Sequence, residues 1–125
     1  MKIGTVIIAA ATWALIPGAA FAAPAEVGYA HGTLGVQDIM AGHLDRAERV
    51  LAAQNAEDAR DPARLINIGI VYARSGRVQD ARTSFLAAGS VPDEAIVLSD
   101  GREVSSRAVA RQQLAALGQA SVSMR

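Results

Sequence analysis

The sequence predicts a mostly α-helical fold, built from about two helical hairpins and closed by a short β-hairpin and a C-terminal capping helix. Three observations predict it. Apolar residues recur at helical spacing on both sides of Gly76. A weaker copy of the same pattern stands earlier, around Gly42. Beyond Pro92 the pattern changes to a β-favouring run, Ile96-Val97-Leu98, followed by Asp100-Gly101.

The clear hairpin lies between Asp61 and Pro92. Leu65, Ile68, Gly69 and Tyr72 fall at i, i+3, i+4 and i+7, one face of a first helix. Ala81, Phe85 and Ala88 form the matching face of a second. Gly76 stands between them, where a helix commonly ends in a residue of positive φ. Pro62 suits a first helical turn because its missing N–H is not needed there. Asp61 before it is an expected N-cap. Gly69 and Ala81 are small, so the two backbones should approach closely, with Tyr72 and Phe85 filling the space around the contact.

The earlier copy is read from spacing. Gly42 precedes Gly76, Ala47 precedes Ala81 and Leu51 precedes Phe85, all by one constant offset. At these residues the chain resembles a tetratricopeptide repeat, a family whose units run for about 34 residues with Leu-Gly, Tyr, Ala, Phe and Pro in order. The constant offset equals that repeat length. Leu65, Ile68-Gly69, Tyr72, Ala81, Phe85 and Pro92 match the family's order. Leu34-Gly35 begin the first copy, but Asp38 replaces its expected aromatic residue. The resemblance spans residues 34–92, a little under half the chain. It implies stacked antiparallel helix pairs and the binding of a protein or peptide. It also implies a groove on one side of the first helix, where Ile66, Asn67, Ile70 and Arg74 would meet the partner. The competing expectation is that the β-hairpin or the last helix covers that face.

The remaining elements follow in order. Residues 1–22 read as a signal peptide: Lys2, then an uncharged apolar run to Ile16, then Ala20-Phe21-Ala22 as a cleavage site. The run is too short to span a bilayer, which takes about 20 residues. An exported protein follows, periplasmic in a Gram-negative cell and secreted otherwise. Residues 23–33, punctuated by Pro24, Gly28 and Gly32, are expected to be mobile. A short helix is expected over 34–41, with Leu34, Ile39 and Met40 inward, and another over 44–54. Strands are expected at 95–99 and 102–105 around a type I′ turn on Asp100-Gly101. Ser105 or Ser106 should cap a final helix over 107–117, which Gly118 ends, leaving 119–125 disordered.

Composition excludes several classes. There is no cysteine, hence no disulfide, thiolate nucleophile or cysteine metal site. Without Lys2 the balance is 11 Arg against 12 acids, so there is no basic excess for nucleic acid. His31 and His43 lack the spacing of a metal pair and are expected at the surface, with no metal and no cofactor. Ser105-Ser106 has no nucleophile motif around it. The expected function is therefore non-enzymatic: a protein- or peptide-binding module of the envelope or secreted space. A self-associating envelope component is the alternative.

Overall fold

The computed structural model describes residues 23–123. The expected leader and the last two residues of the expected tail lie outside the described residues. The elements run α1 (Val36–Ala41), α2 (Leu44–Leu51), a 3-10 turn (Asp58–Arg60), α3 (Pro62–Arg74), α4 (Val78–Ser90), β1 (Ala95–Val97), β2 (Glu103–Ser105) and α5 (Ser106–Ser123). Helices consecutive in sequence pack on one another, and α5 lies along α4 and also reaches α3. The chain is thus mostly helical with one small antiparallel sheet.

Each boundary has a local cause. The Asp61 carboxylate accepts from Ala63 N (2.9 Å) and Arg64 N (3.2 Å), and Pro62 takes the first helical position of α3. This satisfies donors that a helix start leaves bare. Gly42 (φ 80°) and Gly76 (φ 79°) end α1 and α3. Past each glycine the next N–H returns to the last helical turn: His43 N to Asp38 O and Arg77 N to Tyr72 O, both 2.8 Å. The two turns are therefore the same hydrogen-bonded motif, at the offset that also relates Ala47 to Ala81.

The helix contacts recur at the same offset. Ala47 and Ala81, Leu51 and Phe85 are all buried at 1% exposure or less. A Cβ on Gly69 would stand 2.4 Å from Phe85 Cε1. A Cβ on Gly35 would stand 3.5 Å from Leu51 Cδ1. Each glycine thus stands near a large residue of its hairpin's second helix, but Gly35 (φ 62°) precedes α1 while Gly69 lies inside α3, and only the second contact is tight.

The core differs from the expected stripe. Leu65, Ile68 and Tyr72 are only partly buried. Ala63, Ile66, Ile70, Val71 and Ala73 are more deeply enclosed. The reason is that α3 is covered on more than one side, by α2, α4 and α5, so its apolar surface is wider than one face. Met40, expected inward, is 68% exposed, because the short α1 buries only Ile39.

The hairpin register also departs from expectation. β1 and β2 pair Ala95 with Ser105, Ile96 with Val104 and Val97 with Glu103. Leu98 N donates to Arg102 O and Gly101 N to Leu98 O, both 2.8 Å, closing a three-residue loop over 99–101. Only Gly101 has positive φ there (88°), whereas a type I′ turn needs it at both central residues. A two-residue loop would set Ile96 opposite Ser105. The longer loop sets it opposite Val104 and keeps the two apolar side chains on one face.

The last helix begins on a shared cap. Ser105 Oγ accepts from Ala108 N at 3.1 Å, and Asp93 accepts from Ser105 Oγ, Ser106 Oγ and Arg107 N. The helix runs through Gly118, which does not have positive φ, to Ser123. The expected stop at 117 and the disordered start of the tail are thus corrected. One partly buried glycine costs a helix only about 1 kcal/mol, less than the packing of its neighbours restores.

The N–H of Arg107 is the main cause that holds the Asp93 carboxyl below its ordinary pKa, with the Ser105 hydroxyl next. A depressed folded-state pKa means the contribution is present above the unfolded pKa and is lost as pH falls through the folded value. Asp93→Ala is therefore expected to melt below wild type at neutral pH. The gap should close in acid below the carboxylate range, as thermal melts at the two pH values would read.

Candidate functional site

The sequence places the candidate partner face on α3. In the folded chain Ile66, Asn67 and Ile70 are at 0% exposure. Arg74 is half-buried, and its Nη1 donates to Ile39 O of α1 at 2.8 Å. Burial pulls the Arg74 guanidinium below its ordinary pKa. The expected open groove is thus filled, which corrects the expectation of a free surface at these four residues.

Asn67 and Arg74 are held from the N-terminal side, and α5 also packs on α3. Residues 23–25 lie along the free edge of β1: Ala25 N donates to Val97 O (2.7 Å) and Ser99 N to Ala23 O (2.8 Å), with Pro24 bridged to Leu98. Asn67 Nδ2 donates to Pro24 O (3.2 Å) and to Leu34 O (2.8 Å). The chain from residue 23 to Leu34 is therefore a strap, fastened at both ends to one buried amide. Its middle is ordered as well. The Glu26 carboxylate accepts from Gly32 N (2.7 Å) and Leu34 N (3.1 Å). Tyr29 Oη donates to Asp61 Oδ1 at 3.0 Å, and burial, then the Asp61 charge, raises the phenol's pKa. These fastenings tie a segment rich in turn residues to the helices and the sheet.

The remaining polar clusters tie turns together. Arg77 reaches Glu48 (2.8 Å) and Asp80 (2.9 Å) and stacks 4.3 Å above the Tyr72 ring. Arg46 pairs with Asp38 at 2.8 Å, with His43 beside them. Arg64 Nη1 donates to Val50 O at 3.1 Å, holding the last turn of α2. His31 is mostly exposed, 3.4 Å from Glu26, and His43 is about half exposed. Among the described residues no three His, Cys, Asp or Glu side chains gather as a metal site. Among the same residues no helix is long and apolar enough to cross a membrane.

Sequence reasoning missed Pro24, Leu34 and Leu98 as parts of this site. A signal was present in Asn67. One amide among Leu65, Ile66, Ile68 and Ile70 demands a buried partner, because an unpaired amide in an apolar setting is costly. Pro24 favours extended backbone, the conformation a strand requires. No family model, curated protein or solved structure matches the chain.

Proposed function

We propose that the chain is an exported, non-enzymatic module of two tetratricopeptide-like units that binds another protein or a peptide. The observation that carries this reading is the recurrence of one turn, at Gly42 and again at Gly76. The two glycines have φ of 80° and 79°, with the same N–H return beyond each. The glycine contacts of Gly35 with Leu51 and of Gly69 with Phe85 support it further. Repeats of this length stack hairpins and offer side surfaces to partners. The step from architecture to binding is an analogy of fold.

Several charged side chains are spent on structure. Asp61 and Asp93 cap helices, and Glu48, Arg77 and Asp80 brace the α3–α4 turn.

Crosslinking in the native envelope, followed by mass spectrometry, tests the proposal. The expected result is one polypeptide recovered reproducibly with this chain, and a mature N-terminus at Ala23. Recovery of self-crosslinks alone would overturn the partner-binding reading in favour of self-association.

A further inference from the structure

Residues 23–25 are held as a peptide ligand would be. On one side the edge of β1 takes the Ala25 N–H and gives the Ser99 N–H to the Ala23 carbonyl, at 2.7 and 2.8 Å. On the other side Asn67 Nδ2 donates to the Pro24 carbonyl at 3.2 Å. Successive main-chain groups are thus read alternately from a sheet edge and from a helix. The seats are small and neutral: Ala23 is 2% exposed and Pro24 is among the most fully buried residues. The residues that contact the tripeptide through these bonds, Val97, Ser99 and Asn67, carry no charge.

We propose that this slot, the free edge of β1 together with Asn67, binds an extended small–Pro–small segment of a partner polypeptide, and that residues 23–25 are its displaceable occupant in cis. The inference rests on the partner-binding reading above and names its site and ligand class. The strap's other fastenings lie further along, at Glu26, at Tyr29 with Asp61, and at Leu34 with Asn67. The first three residues can therefore leave while the rest stays in place. Their departure bares one strand edge, and adding a strand to such an edge is a recurring mode of peptide recognition. Occupancy in cis lowers apparent affinity by the fraction of time the slot is open.

The test uses the purified full chain and a labelled, N-acetylated peptide reproducing residues 22–28. Ala25→Pro removes the N–H that reaches Val97 O and loosens the strap, leaving the slot unaltered. Fluorescence anisotropy should show Ala25→Pro binding the peptide at least tenfold more tightly than wild type. The same peptide N-methylated at the position of Ala25 should lose that gain. A folded Ala25→Pro protein that binds no more tightly than wild type would overturn the proposal. Should that variant fail to fold, hydrogen exchange on wild type decides. With excess peptide, the Ala25 amide should exchange at least tenfold faster while the Ser99 amide stays protected, and no change in either overturns the proposal. A dimer of Ala25→Pro in sedimentation at tens of micromolar would place a second copy's segment in the slot and overturn the assignment to a foreign partner. Capture of a partner from the envelope without peptide exchange would remove this site and leave the broader reading standing.

Discussion

Gly69→Leu is expected to destabilise the fold by about 3 kcal/mol, and Gly69→Ala by about 1–2 kcal/mol. The smaller change is the more informative. Alanine is the better helix former by about 1 kcal/mol, so an exposed glycine replaced by alanine would gain stability. Here the added Cβ would stand 2.4 Å from Phe85 Cε1 and 2.7 Å from Cδ1. Phe85 is fully buried, so its ring cannot swing out into solvent without exposing apolar surface. Steric overlap therefore outweighs propensity. Phe85→Leu copies the residue at the equivalent place in the first hairpin, Leu51. It should relieve the clash, so the double variant should be more stable than the two single effects added. Denaturant melts of the four proteins give the coupling, expected at about 0.5–3 kcal/mol. Additive effects would mean that the two residues do not touch.

Asn67→Leu is the second large effect, expected at about 2–4 kcal/mol. Leucine has a similar size but donates nothing. The carbonyls of Pro24 and Leu34 each lose the amide that reaches them, and a buried group left unpaired costs about 1–3 kcal/mol. The buried Asn67 Oδ1 has no partner, so removing it returns part of the loss. The loss should be regional. The Ala25 and Ser99 amides should lose exchange protection, while the α3–α4 turn at Gly76 keeps its own. Uniform loss of protection across the chain would show that Asn67 holds the whole core and not the strap.

What the sequence made legible was local. Helical spacing around Gly76, the Asp61-Pro62 start and the Ser105 cap before α5 each act within a few residues, and each is where expected. The recurrence of Gly42 at Gly76 was legible because a turn of this kind admits few residues other than glycine. The strap was not legible, because its partners lie far along the chain. Pro24 meets Leu98 and Asn67, and the alternation of three residues is too short to announce a strand. The candidate face failed for the same reason. Ile66 and Ile70 read as a partner surface or as covered core, and their complete burial in the folded chain decides for the core. The hairpin turn was misread because Asp-Gly fits both loop lengths. The choice fell to the pairing of Ile96 with Val104, a sheet property outside the turn itself.

The claim on which the proposed function depends is that a helical unit recurs, with a glycine near a large residue, Leu51 or Phe85, at the same offset in each copy. Nuclear Overhauser contacts test it directly. The account predicts contacts from the Gly69 α-protons to the Phe85 ring and from the Gly35 α-protons to the Leu51 methyl groups. Contacts at Gly69 with none at Gly35 would contradict it, leaving a single hairpin and no repeat.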